Sequence, residues 1–219
     1  MVRSWVKSFM ASTNLVTDEY KKEGYFARLN YDYADKYYIS ASYRHDGSSR
    51  FHKDNRWGDF WSFGASWRVS EEEFMKDITW VNSLKLRASY GETGNDQILD
   101  SDGYNSYYPF QTLYTLGKNN GTEPGVFFFD IANSDLKWET QVSTDFGIEF
   151  SLFDRLNGTV EYFKKESKDL LFDVSQPASA GVTSIIQNIG KVSNSGVEID
   201  LSYDVIKGKD WNLTVGANA

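Results

Sequence analysis

His45 and His52 flank Asp46, and Ser48 stands between the two histidines. These are the residue types of metal centres and of Ser-His-Asp hydrolases. Two histidines seven apart across a Gly-Ser-Ser segment do not match the ligand spacings of zinc sites. Near-neighbours in sequence seldom reach triad geometry, and no nucleophile elbow surrounds Ser48. The plainer expectation is a solvated loop, in which Asp46-Gly47 makes a tight turn and Asp46 pairs locally with Arg50. Asn95, Asp96, Asp100 and Asp102 offer oxygen ligands, but without the order of an EF-hand loop, so an ordinary polar loop is expected there. Glu71-Glu72-Glu73 follow Ser70 and read as the capped start of a short helix, where carboxylates complement the helix dipole. This inventory supports no catalytic residue, no metal site and no cofactor, and the chain is not expected to be an enzyme.

The most suggestive cluster is aromatic. Tyr104, Tyr107, Tyr108, Phe110 and Tyr114 fall in the longest stretch between patterned segments. Their flat rings with polar edges suit ligand or partner contacts, sugar rings included. Packing of a long loop on itself is the plainer reading. Phe127, Phe128 and Phe129 read as loop packing or a short strand.

Other residues must be positioned by strands. Aromatics make up 16% of the 219 residues and there are only 3 prolines, a balance that favours pleated surfaces. A net charge of -8 would be repelled by nucleic-acid phosphates, so no nucleic-acid partner is expected. The absence of cysteine excludes disulfide frameworks and thiolate metal sites. No apolar run is long enough for a transmembrane helix, but a membrane barrel signals itself by alternation instead. The N-terminus lacks the features of a signal peptide. The expectation is therefore a portion of a longer protein.

Period-2 alternation predicts eight strands, over about 24–33, 37–46, 60–69, 84–91, 138–150, 156–165, 196–204 and 211–219. In the fifth, Trp138, Thr140, Val142, Thr144, Phe146, Ile148 and Phe150 alternate with Glu139, Gln141, Ser143, Asp145, Gly147 and Glu149. Such strands suit a soluble sandwich, with the apolar face inward, or a membrane barrel, with it outward. Two features favour the barrel. Tyr33, Tyr37, Tyr43, Trp61, Trp67, Trp138, Phe150, Tyr203 and Trp211 stand near segment ends on the apolar face, as in interfacial girdles. Connections also alternate, the shorter on one edge and the longer on the other, as expected for periplasmic turns and extracellular loops.

The fold class expected is therefore all-β, an antiparallel meander of about eight strands forming part of a transmembrane barrel. Residues 1–23 are expected to be an extracellular loop remnant and residues 24–219 the partial barrel. Arg28, Arg44, Arg68, Lys85, Arg87, Glu139, Asp145, Glu149 and Glu161 are expected to line the lumen wall. Val142, midway between Trp138 and Phe150, is expected at the hydrocarbon midplane, with Ser143 facing the interior. The alternative is a soluble β-sandwich carbohydrate-binding module, which would stay in solution without detergent.

A family resemblance rests on several motifs in order. The run from Arg28 to Tyr37, Arg-Leu-Asn-Tyr-Asp-Tyr-Ala-Asp-Lys-Tyr, resembles the SusC/RagA family of TonB-linked outer-membrane proteins of Bacteroidetes. Arg44-His45-Asp46-Gly47-Ser48-Ser49-Arg50-Phe51 is similar to the family's Arg-Arg-Asp-Gly-Ser-Ser-Arg-Phe, with His45 in place of the usual Arg. Leu84 to Gly91, Thr93-Gly94-Asn95-Asp96, Leu136-Lys137-Trp138-Glu139-Thr140, Ile185 to Gly190 and Asn194 to Glu198 continue the match. The resemblance implies a slice of a barrel of roughly 22 strands with a plugged lumen. It implies location in the Gram-negative outer membrane, amid its lipid, and import of glycans or peptides powered by the TonB system with a SusD-like surface lipoprotein.

Overall fold

The computed structural model describes residues 18–99, 103–116, 121, 123, 125–182 and 184–219. Its strands are β1 (Lys22–Tyr33), β2 (Tyr37–Ser48), β3 (Trp57–Arg68), β4 (Val81–Asn95), β5 (Leu113–Leu116), β6 (Val126–Asp130), β7 (Glu139–Leu152), β8 (Leu156–Lys168), β9 (Leu171–Ser175), β10 (Ser184–Asn188), β11 (Lys191–Lys207) and β12 (Asn212–Asn218). The eight long strands form one antiparallel sheet in the order β1-β2-β3-β4-β7-β8-β11-β12. The two remaining pairs, β5-β6 and β9-β10, are small hairpins within long connections. A single sheet, rather than two facing layers, excludes the sandwich alternative.

The tight turns are built for a twisted hairpin. Ala34 and Asp35 both take positive φ, as do Phe153 and Asp154, and the turns close by Lys36 N–H donating to Tyr33 O (3.0 Å) and Arg155 N–H to Leu152 O (3.1 Å). Positive φ at both central residues gives the mirror-image turn whose twist matches the strands it joins. Phe153 tolerates this unusual conformation while its ring stacks on Trp80 at 5.5 Å and its N–H donates to Trp80 O.

One face of the sheet is apolar from strand to strand. On β2 the run Tyr37, Ile39, Ala41, Tyr43 ends at His45, and on β3 Trp67, Ala65, Phe63, Trp61 ends at Asp59. On β4 Leu84, Leu86, Ala88, Tyr90 gives way to Glu92, and on β8 Leu156, Gly158, Val160, Tyr162 to Lys164. Leu29 is 65% exposed and Trp61 61%, far more than water tolerates over a continuous surface. The band is oblique to the hydrogen bonds. One register line runs Leu29–Ala41–Phe63–Tyr90–Thr144–Lys164, from mid-band on β1 to beyond the band on β8. That obliquity is the strand tilt a barrel requires.

The obliquity corrects the expectation for Val142. Its cross-strand partners are Glu92 and Glu166, so it stands beyond the apolar band, and it is only 4% exposed. Trp138 is likewise no girdle residue. It precedes β7 and packs in a core of Phe51, Phe60, Ile98, Leu136 and Ile186. Every member of that core lies at or near the long-connection end of the sheet. The reason is physical: apolar side chains gathered at that end are buried against one another, whereas those of the band remain exposed along one face of the sheet.

Candidate functional site

Strict alternation across the continuous registers puts Arg28, Arg44, Arg68, Lys85, Arg87, Glu139, Asp145, Glu149 and Glu161 on the face opposite the apolar band. Several of them join into a network. Arg87, Gly147 and Glu161 occupy one register row on β4, β7 and β8. Gly147 carries no side chain, and a Cβ there would lie 2.5 Å from Arg87 Nε. Arg87 therefore crosses the middle strand and meets Glu161 at 2.5 Å, while its Nε lies 3.4 Å from Glu149. Lys85 reaches Glu149 at 3.5 Å. Asp145 accepts from Ser89 (3.2 Å) and Ser143 (3.1 Å). Arg87, Lys85, Asp145, Glu149 and Glu161, with Asn30, Tyr38 and Lys165, line a polar trough of about 740 Å3. Arg44 pairs instead with Asp46, at 2.8 Å.

The same face also holds residues that the expected set omitted. Glu198 lies directly opposite Glu161, and Asp200 opposite Thr159. Both follow from the alternation that placed Val197 and Ile199 on the apolar face. Like charges directly opposed are unfavourable. Arg87 offsets this on the Glu161 side.

A second polar construction closes the long-connection end. Arg50, only 7% exposed, donates to Asp96 O at 2.9 Å and to Asn105 Oδ1 at 3.3 Å. Its guanidinium lies 4.7 Å from the Tyr20 ring and 5.3 Å from the Tyr107 ring, a cation held between two aromatic faces. The Asp96 carboxylate accepts from Tyr20 Oη (2.8 Å) and Lys22 Nζ (3.2 Å). Burial pushes that carboxyl up, but hydrogen bonds from Ser48, Tyr20 and Lys22 outweigh it and hold Asp96 below its usual range. Burial and the Asp96 bond push the Tyr20 hydroxyl up. The residues before β1, the β2–β3 connection and the segment after β4 are thereby clasped together, above the apolar core.

Residues 6–219 match the family described as TonB dependent receptor-like, beta-barrel. The chain belongs to that family. TonB-dependent receptor P39 of Formosa agariphila is 40% identical over 194 residues, covering 88% of this chain and 18% of that protein. TonB-dependent receptor SusC of Bacteroides thetaiotaomicron is 36% identical over 204 residues, 87% of this chain and 19% of that protein. The RagAB peptide importer in its open-open state superposes with a TM-score of 0.79 at 33% identity, over 91% of this chain and 21% of that one. The chain thus spans about a fifth of the length of the relatives it matches.

Within this TonB-dependent receptor segment the other candidate residues separate. His45 and His52 do not converge: His45 stacks on Trp57 at 4.5 Å and lies 2.7 Å from Asp59, while His52 lies 3.1 Å from Asp54. Among the described residues no group of three or more His, Asp or Glu could hold a metal ion. In the motif Asp46, Gly47, Ser48, Ser49, Arg50, Phe51 the turn sits later than expected. Asp46 to Ser48 complete β2, and Asp46 pairs with Arg44 rather than Arg50 because the strand directs the two apart. Ser48 is fully buried, with its Oγ accepting from Arg50 N–H, and Phe51 anchors the core. Asn95 Oδ1 accepts from Gln97 N–H, and Asp100 and Asp102 lie outside the described residues.

Ser70 caps no helix. It lies inside a three-residue 3-10 turn, Val69–Glu71, whose preceding Arg68 makes no side-chain cap. Glu72 has a different use: it accepts from Tyr37 (2.6 Å), Trp67 (3.0 Å) and Lys36 (3.1 Å), which hold its carboxyl below the usual range. Of the loop aromatics, Tyr107 covers Arg50, Tyr108 Oη accepts from Glu19 N–H, and Phe110 meets the His52 ring edge-on at 6.2 Å. Tyr104 is 73% exposed and Tyr114 55%. Phe127 to Phe129 fall in β6.

Proposed function

We propose that this chain is an arc of an outer-membrane importer that draws energy from the TonB system and takes up glycans or peptides with a SusD-like surface lipoprotein. The carrying observation is the two-sided sheet. One face is a continuous oblique apolar band for lipid, and the other a linked ionic wall suited to a water-filled or plugged interior. Both ends of the sheet, β1 and β12, are open edges, as befits an arc that continues into further strands. Likeness to SusC and to the RagAB peptide importer supports the substrate classes and the lipoprotein partner. On this reading the barrel of residues 24–219 begins two residues earlier, with β1 at Lys22, and the segment before it, of which residues 1–17 lie outside the described residues, belongs to an extracellular loop. The nine charged wall residues contact the plug, and the exposed rings of Tyr104 and Tyr114 contact substrate or lipoprotein. The work is transport, with no bond made or broken by these side chains.

The test is uptake by cells carrying or lacking the full-length gene that encodes this segment. Labelled oligosaccharide and oligopeptide pools are supplied with and without a protonophore. Loss of uptake of one pool on deletion, matched by the protonophore and by deletion of the lipoprotein gene, is the expected result. Unchanged uptake of both pools, or recovery of the protein in the soluble fraction, would overturn the reading.

A further inference from the structure

Arg50 is anchored beside the sheet and in turn holds the connection between β4 and β7. Its Nη1 donates to the carbonyl of Asp96, just past β4, at 2.9 Å, and its guanidinium carbon lies 4.7 Å from the centre of the Tyr20 ring. On the connection its Nη2 donates to Asn105 Oδ1 at 3.3 Å, and the same carbon lies 5.3 Å from the centre of the Tyr107 ring. A planar cation with in-plane donors and two faces can make all four contacts together. Asn105 is tied from a second side: it forms an isolated bridge with Leu99, and Ser106 N–H donates to Ile98 O at 2.9 Å. Ile98 is fully buried in the core. Tyr104 stands between Gly103, whose φ is +82°, and the pinned Asn105, and it is 73% exposed. A buried cation thus fixes the residues that carry an exposed aromatic ring.

We infer that Arg50 is the positioning residue for Tyr104, ordering residues 104–107 before cargo arrives, an inference that rests on the reading above in which Tyr104 contacts substrate. A loop already ordered loses less freedom on binding, and affinity rises accordingly. Arg50 is only 7% exposed and acts through Asn105 and Tyr107 rather than on cargo. Its loss therefore weakens capture and leaves the steps after capture unchanged. The connection stays in place without it, because Tyr108 still bonds Glu19 N–H, Phe110 still meets His52, and Ile98 and Leu136 remain in the core. Lysine at 50 keeps a cation against the two rings but lacks the planar fork, so it preserves part of the order. Glutamine keeps neither the charge nor the fork.

The experiment uses the full-length protein containing this segment. Initial uptake rates by cells are measured against concentration for the labelled oligosaccharide and oligopeptide pools, per folded protein counted by heat-modifiable gel mobility. Arg50→Gln is expected to raise the half-saturating concentration of the imported pool about tenfold, the cost of ordering one or two side chains on binding, with the maximal rate unchanged. Arg50→Lys should recover part of that loss. Tyr104→Ala should raise the same concentration, and adding Arg50→Gln to it should cost no more, because the ring being positioned is gone. A nitroxide on Tyr104→Cys in the purified protein, without cargo, should be immobilised and become mobile when Arg50→Gln is added. Additive losses, or a fall in maximal rate alone, would make Arg50 merely structural and overturn the inference. A label equally immobile with and without Arg50 overturns it too and leaves the transport reading standing. Wild-type cells that import neither pool sink that reading instead, while the label still shows whether Arg50 orders position 104. Should Arg50→Gln fail to fold, Asn105→Ala, which removes one acceptor at the exposed end, takes its place in every arm.

Discussion

Arg87 reaches across Gly147 to Glu161, so a side chain on β4 is ionically tied to one on β8 over the backbone of the strand between them. The tie depends on the missing Cβ, since any side chain at 147 would meet the Arg87 stem within 3 Å. Gly147→Val is therefore expected to destabilise the folded protein by roughly 1–3 kcal/mol, the usual cost of overpacking. Arg87→Gln in the same background should cost little more, because the tie is already broken. Urea unfolding of the full-length protein in detergent checks both. Additive losses would show that Arg87 and Gly147 act separately.

Face assignment gives the second expectation. Ile148 lies in the apolar band, 44% exposed, between Leu86 and Val160. Ser89 points the other way, beside Asp145. Ile148→Arg should cost about 2–4 kcal/mol, the penalty for a cation at hydrocarbon depth. Ser89→Arg should cost far less, since Asp145 would receive it. Folding into vesicles measures each, with a lipid-soluble quencher reading labels at both positions. Quenching at 89 and not at 148 would reverse the faces.

What the sequence made legible was parity, and what it concealed was depth. Alternation assigned Arg87, Asp145 and Glu161 to one face, because side-chain period along a strand is fixed at two. It could not say how far Val142 stood from the hydrocarbon centre. That depends on Glu92 and Glu166, partners distant in sequence whose register no single strand contains. Trp138 misled for the same reason. Its spacing continued the pattern of β7, but its ring belongs to a core with Phe51, Phe60, Ile98 and Ile186, all distant in sequence. The clasp at Arg50 was hidden because Asp96, Asn105, Tyr20 and Tyr107 approach it only in three dimensions. The motif Asp46 to Phe51 marked the place without disclosing the partners.

That core leads to the third expectation. Phe51 and Leu136 are fully buried, and Phe51 meets Trp138 at 5.5 Å. Phe51→Ala should cost about 3–5 kcal/mol, and Leu136→Ala about 2–5 kcal/mol, as for other core truncations. The loss should be local, because the sheet below is held by continuous backbone pairing. Limited proteolysis should cut the connection between β4 and β7 much faster in either variant, with the gel mobility of the folded barrel unchanged. Unaltered cleavage would mean that the core does not hold the loop.

The last expectation concerns acid. Asp96 is held below its usual value of 3.8 by hydrogen bonds from Ser48, Tyr20 and Lys22 that outweigh the cost of burying it. A carboxyl whose folded value is depressed adds stability that is fully present above the unfolded value and is lost as pH falls through the folded one. The clasp should therefore be insensitive to pH from neutrality down to about pH 5 and weaken as pH drops below 3.8. Protonated Asp96 can no longer pair with Lys22 as an anion, and Tyr20 loses its strongest acceptor. The isosteric Asp96→Asn should lower the melting temperature at neutral pH and reduce its fall between neutrality and acid, because the titrating group is gone. Glu72, at the opposite end, is also held below its usual range by Tyr37, Trp67 and Lys36, so Glu72→Gln is the necessary companion. Cleavage of the β4–β7 connection by an acid protease separates the two: Asp96→Asn should abolish its rise on acidification, and Glu72→Gln should leave that rise intact. A rise undiminished in Asp96→Asn would assign the acid response of the clasp to another carboxyl.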